Sequence, residues 1–164
     1  MKTTRCQRRF PYPTNPPSIL VAAHKYFAAD RYNKTWGFMD NPNRTPEEDL
    51  SMLHTAMASL WRWSQREDAT PINFSIGYWQ VARVFALLGQ PDNARCYGEM
   101  SPKAAQGGEP FYIGYAYESL ARAEMVAGNK AKMNEYLAQA RSFAEKMEDE
   151  EDKQVLVKDL ETIK

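Results

Sequence analysis

Few residues in this chain are of types suited to chemistry, and their spacing is informative. There are two histidines, His24 and His54, and two cysteines, Cys6 and Cys96. Joined by an acid such as Asp30 or Asp49, the histidines would make a metal site if their helices ran antiparallel. No HxxxH, HxxE or Cys/His cluster supports that reading, so no metal or other cofactor is expected. The expectation for His54 is a hydrogen-bonded ring beside Trp61, seven residues on and on the same helix face. The cysteines lack CxxC spacing and read as reduced thiols of a cytoplasmic protein. Nucleophile and phosphate motifs are missing as well: no GxSxG, no P-loop, no GxGxxG and no Cys-His pair. A carboxylate pair brought together from two helices would leave no sequence trace, so catalysis stays open on that point.

Tryptophans at 36, 61, 63 and 79 suggest an aromatic cage. Trp61 and Trp63 are two residues apart, point to opposite sides of a helix and cannot line one pocket. One is expected between helical hairpins, the other partly exposed. Asn33 falls in a helical stripe with Ala22, Tyr26, Ala29 and Trp36. A polar residue in such a stripe needs partners. It is either an amide aimed into a groove near Trp36 and Trp79, or a buried amide tying the first helix to the second. The second reading is the expectation.

These residues are carried by helices. No alternating Val/Ile/Thr run and no Asn-Gly turn signals a strand. Proline and glycine instead divide seven segments of helical period. The first runs from an Asn15 cap and Pro16 to about Met39. The second opens on Thr45-Pro46-Glu47-Glu48, a capping box, with an expected core stripe of Leu50, Leu53, Met57 and Leu60. The third starts at Thr70-Pro71 and stops at Gly89; the fourth runs from Pro91 to before Pro102. After a Gly107-Gly108 loop the fifth spans about Pro110 to Gly128, and the sixth runs from an Asn129 cap to about Met147. The seventh, about 150–163, carries Leu156, Leu160 and Ile163 on one side and is polar elsewhere, as a cap should be.

Length and composition agree with one helical domain. The chain has 164 residues, 43% apolar and 12% aromatic, enough for a single core. Its 21 basic and 21 acidic residues cancel, which argues against a surface built for nucleic acid. No apolar run approaches the roughly 18 residues of a membrane span, so no membrane is expected. Lys2, Arg5, Arg8 and Arg9 lack the apolar stretch of a secretory signal behind them. Charge is nonetheless uneven: residues 1–34 hold seven Lys/Arg and one Asp, the rest fourteen Lys/Arg and twenty Asp/Glu. Four prolines in 11–17 make residues 1–14 an extended basic arm rather than an element. The acidic run 148–152 reads as a solvated helix junction.

Helices three and four match helices five and six at an offset of 39 residues. Tyr78 pairs with Tyr117, Ala82 with Ala121, Arg83 with Arg122, Gly89 with Gly128 and Tyr97 with Tyr136. The segments YWQVARVFALLGQPDNA and YESLARAEMVAGNKAKMNEYLAQA resemble the tetratricopeptide repeat: an aromatic, Leu with a small residue, a Gly turn, then Ala. The first copy supplies Tyr78, Val81, Ala82, Phe85, Gly89 and Ala94; the second supplies Tyr117, Leu120, Ala121, Gly128, Leu137 and Ala140. Gly98 and Glu124 depart from the pattern, where a bulky apolar residue and an aromatic are usual. The segments NRTPEEDLSMLHTA, TPINFSIGYWQVARV and YAYESLARAEMVAG also resemble a group of bacterial helical-repeat proteins without assigned activity.

That resemblance implies an all-α, right-handed α-α superhelix in one domain, 15–164. Its hairpins would span 15–66, 70–104 and 109–147, with the last helix as cap. Such a stack leaves a concave face lined by the first helix of each pair. On it would lie Ile76, Trp79 and Arg83, then Tyr115, Glu118, Arg122 and Met125. Stacked guanidinium groups suit a carboxylate or phosphate. Glu118, four residues before Arg122, gives the competing reading of internal ion pairs. The leading functional expectation is a non-enzymatic binding or scaffold protein, holding a peptide segment, an acidic partner or a second copy of itself. The alternative is a small-molecule binder or enzyme using a pocket between helices one, three and five, where Asn33, Trp36, His54, Trp79 and Arg83 converge.

Overall fold

The computed structural model describes residues 18–164. The expected arm and the Asn15-Pro16 helix start lie outside them. Among the described residues there are eight helical segments and no strand. They are α1 (Ser18–Met39), α2 (Pro46–Ser64), α3 (Pro71–Leu87), α4 (Pro91–Gly98), α5 (Met100–Ala104), α6 (Pro110–Val126), α7 (Lys130–Ala144) and α8 (Glu150–Glu161). No helix among them is long and apolar enough to cross a membrane.

The starts follow local chemistry. Thr45 and Thr70 each accept from the backbone N–H three residues on, and Glu48 and Asn73 return the bond to the cap. A proline follows each cap at the first helical position, where no N–H is needed. Gly89 and Gly128 stop α3 and α6 in the left-handed region, at φ 68° and 71°. The expected fourth helix is in fact two segments, because Pro102 has no N–H to give the Gly98 carbonyl. The chain breaks at Glu99 and restarts as α5, with Pro102 in its first turn.

Consecutive helices pair: α1 with α2, α3 with α4 and α5, α6 with α7. α3 also packs on α2 and α6, and α8 lies on α6 and α7. One core joins α2, α3, α4 and α6 through Met52, Ala56, Val81, Val84, Phe85, Ala94 and Ala123. A second joins α6, α7 and α8 through Ala121, Met133, Ala140, Leu156, Leu160 and Ile163.

The 39-residue repeat is geometric as well as sequential. The Tyr78–Tyr97 ring centroids are 6.5 Å apart, and those of the matching pair Tyr117–Tyr136 are 6.4 Å apart. Ala82 and Ala121 are both fully buried. Both departures from the repeat pattern have structural reasons. A Cβ on Gly98 would stand 3.1 Å from the Leu120 side chain, so the glycine lets α4 approach α6 closely. Glu124 is buried, and Arg95 of α4 donates to both of its carboxylate oxygens, at 2.6 and 3.1 Å. An ion pair between α4 and α6 therefore occupies that position. Arg95's hydrogen bond holds the Glu124 carboxyl below the ordinary carboxylate range.

Two expected stripes are corrected. In α1, Ala22, Tyr26, Ala29 and Asn33 are exposed, and the buried positions are Ala28 and Thr35. In α2, Leu53 and Leu60 of the expected stripe pack against the first core, but Leu50 and Met57 are exposed, and Met52, Ala56 and Ser59 are buried. The two helices meet through small side chains instead. Ser59 donates to the Ala28 carbonyl at 2.8 Å, and Thr35 donates to the Thr55 hydroxyl at 3.1 Å. Small residues permit a close approach that larger apolar ones would block, so size rather than hydropathy sets this interface.

Candidate binding cleft

Between α1, α3, α6 and α8 lies a cleft of about 380 Å³. α1 contributes Tyr32 and Trp36, α3 Ser75, Ile76 and Trp79, α6 Phe111, Tyr112 and Tyr115, and α8 Val155 and Asp159. The side chains of each helix recur at three- and four-residue steps, which puts them on one face. Their rings lean on one another. Trp79 stands 5.6 Å from Trp36 and 5.3 Å, edge-on, from Tyr115; Phe111 stands 4.9 Å from Tyr115. From the far side, Gln80 donates to the Tyr32 carbonyl at 3.1 Å and locks α3 to α1.

Under the rings is a closed polar network. Glu118 is fully buried. It accepts from the Trp79 indole at 2.8 Å, from Arg83 at 3.4 Å and from Arg122 Nε at 2.8 Å. Arg83 also pairs with Asp159 at 3.0 Å, and Tyr115 donates to the other Asp159 oxygen at 3.1 Å. Arg122 reaches the Thr162 hydroxyl at 2.9 Å, tying α6 to the end of α8. Two guanidinium groups face two carboxylates, so the network is neutral. Burial works against the Arg83 charge, but Glu118 and Asp159 more than restore it and raise its pKa. Burial, and then the Asp159 charge, push the Tyr115 hydroxyl far above its ordinary range.

This geometry limits what the cleft can take. Both arginines are engaged internally, so neither is free to grip a carboxylate. Arg83 lies over both indoles, 5.7 Å from the Trp36 centroid and 5.4 Å from that of Trp79. A cationic ligand would meet that charge where an aromatic cage needs open faces. What remains is an apolar or aromatic group of modest size.

Of the residues picked out in the sequence, Trp36, Ile76, Trp79 and Tyr115 line the cleft, and Arg83, Glu118 and Arg122 form the network under it. Three expectations need correction. Met125 packs in the second core beside α8, which covers that end of the helix face. Asn33 is exposed and ties nothing to α2; it borders a shallower hollow with Ala29, Trp63 and Asn73. His54 is exposed, and the ring beside Trp61 is that of His24, at 5.6 Å. The pairing of Ala28 with Ser59 and of Thr35 with Thr55 places His24 opposite the end of α2, well away from His54. No group of three metal-binding side chains occurs among the described residues. Trp61 is 52% exposed, and the half-buried Trp63 borders a hollow with Asn73 and Ile76 of α3.

Sequence reasoning missed Tyr32, Ser75, Phe111, Tyr112, Val155 and Asp159. A signal existed for some of them. Tyr32 and Trp36, and Phe111 and Tyr115, are four apart on one helix face. Asp159 sits between Leu156 and Leu160, a carboxylate on the inner edge of a capping helix.

Comparison of the chain with protein-family models, curated proteins and solved structures found no match.

Proposed function

We propose that this is a non-catalytic binding protein of tetratricopeptide-like, right-handed superhelical build. It holds an extended peptide segment of a protein partner across its inner face, with one bulky apolar side chain seated in the aromatic cleft. The observation that carries this reading is the cleft itself: six aromatic walls over a network whose acids and bases bind one another. A catalytic site needs an acid or base within reach of substrate. Here each charged group beside the cleft already has an internal partner. Rigid aromatic surface at low entropic cost is what peptide anchors use. The exposed Cys96 fits the reduced thiols of a cytoplasmic protein, and the open α1–α2 end fits self-association.

A second reading rests on size. About 380 Å³ lies within the range of small-ligand sites, so a compact aromatic metabolite held between α1, α3 and α6 fits as well.

A thermal-shift screen separates the two. Extended hexapeptides with a central Phe, Tyr, Leu or Asp are run beside aromatic metabolites. The control is Val155→Arg, which puts a long cation at the cleft wall from a 51% exposed position. A ligand at a hundredfold its Kd adds about 2.7 kcal/mol of apparent stability. Peptides with a central aromatic should stabilise the wild type and not the variant. Stabilisation by metabolites alone would favour the second reading. Equal shifts in wild type and Val155→Arg would remove the cleft from the account.

A further inference from the structure

Helix α2 carries an apolar stripe that the fold itself does not use. Leu50, Met57 and Trp61 are exposed, and the exposed His54 lies in line with them. Steps of four, three and four residues put all four side chains on one face. The opposite face holds Met52, Ala56 and Ser59, which are buried against the rest of the stack. None of the four lines the aromatic cleft. Single apolar side chains on a surface are ordinary, but a row of them along one helix marks a contact surface.

The charges along the stripe show what fits it. α2 begins with Glu47, Glu48 and Asp49 and has Arg62 in its last turn. Glu48 is taken up by the Thr45 cap, and Asp49 by Arg44 at 2.7 Å. Glu47, one turn before Leu50, is exposed and has no ion-pair partner among the described residues. Nor has Arg62, whose guanidinium lies over the Trp61 and Phe27 rings, at 5.1 and 5.5 Å. The unused acid and the unused base thus sit at opposite ends of one helix, on the same flank of the stripe. A second copy laid parallel would set acid against acid. Turned end over end about a point between Thr55 and Ala56, it sets Leu50 against the partner's Trp61 and His54 against the partner's Met57. The same turn leaves Glu47 about 3 Å, two residues of helix rise, from the position facing the partner's Arg62, a gap that long side chains span. The stripe is its own complement.

We propose that two copies of this chain pair through α2, antiparallel and two-fold, with Leu50, His54, Met57 and Trp61 at the centre and Glu47 joined to the partner's Arg62 at each end. This deepens the self-association in the functional reading and is independent of the peptide site. The pairing leaves both clefts free, so a partner that repeats its anchor binds the dimer more tightly than a single copy. One helix from each side is a small contact, below the about 1,200 Å² of stable interfaces. The dimer is therefore weak: the stripe is bare at the low concentrations of unfolding titrations and paired at high ones.

Sedimentation velocity of the full-length chain, from about 1 to about 300 μM, spans the range in which a weak dimer forms. Wild type should pass from 18.8 kDa toward twice that mass. Met57→Asp puts a charge into the middle of the stripe and should stay monomeric throughout, with unchanged far-UV circular dichroism. Glu47→Arg and Arg62→Glu should each weaken the dimer at least about tenfold, because each sets like charges together. The double reversal Glu47→Arg, Arg62→Glu should regain most of that loss, and this recovery decides the matter even if Met57→Asp fails to fold. A wild type monomeric at the highest concentration would overturn the proposal, and is the result expected if the residues before α1 or a different protein cover the stripe. A dimer that Met57→Asp leaves intact, or that the double reversal does not restore, would overturn it as well. Hexapeptides with a central aromatic should stabilise monomeric Met57→Asp as they do wild type, so loss of the dimer leaves the cleft reading standing.

Discussion

The two ends of this helical stack solve the same problem differently. At the C-terminal end, α8 lays Leu156, Leu160 and Ile163 on α6 and α7, and all three are buried. The same helix sends Asp159 to Arg83 and Tyr115, so covering the core and closing the polar network are one act. At the N-terminal end, α2 turns Leu50, Met57 and Trp61 partly outward, at 54%, 37% and 52% exposure, and no described helix other than α1 and α3 packs on α2. α1 and α2 hold together through Ser59, Thr35 and Thr55 instead. An apolar stripe at helical spacing therefore means burial at one end and a free surface at the other. Among the described residues, what separates them is whether another helix packs on the stripe.

The contrast breaks most severely at Glu118. Glu118→Ala leaves two arginines and an indole without their acceptor, and should cost about 3–5 kcal/mol in urea unfolding. Leu160→Ala, at the covered end, should cost about 2–5 kcal/mol, because a fully buried side chain leaves a cavity. A cost near zero there would mean that α8 does not seal the stack. The Arg95–Glu124 pair gives a smaller, pH-dependent effect. Its Glu124 pKa is depressed in the folded state, so its stabilisation is present above the unfolded value of about 4.3 and is lost as pH falls through the lower folded value. The urea midpoint of wild type should therefore fall more steeply below about pH 4 than that of Glu124→Gln. Met57→Ala, at the open end, should change stability by no more than about 0.5 kcal/mol. A larger loss would show that the exposed face is covered in solution.

Much of the architecture was legible because it depends on local chemistry. Thr-Pro starts and the Gly89 and Gly128 stops each act within a few residues, and the 39-residue offset shows as repeated residue types in the sequence itself. The faces of α1 and α2 were legible only in part: Leu53 and Leu60 pack on the core as expected, and Leu50 and Met57 do not. The contact between the two helices is set by Ala28, Ser59 and Thr35, small residues that hydropathy ranks low but close approach requires. The same limit applies to the cleft. Trp79 and Arg83 could be singled out from one helix pair. Asp159 could be placed on the inner edge of the capping helix, but its pairing with Arg83, 76 positions away, could not be read from the sequence. Met125 and Glu118 share a helix, but only the packing of α8 decides that one enters a core and the other a polar network.

The most direct test of the central claim uses the four tryptophans as reporters of position. Their indole N–H resonances are followed while an extended hexapeptide with a central phenylalanine is titrated into the full-length chain. Trp36 and Trp79 line the cleft, and Trp61 stands at the open end. The account predicts saturable shifts at Trp36 and Trp79 with Trp61 unmoved. A shift at Trp61 with Trp36 and Trp79 unmoved would contradict it and transfer binding to the uncovered end of the stack.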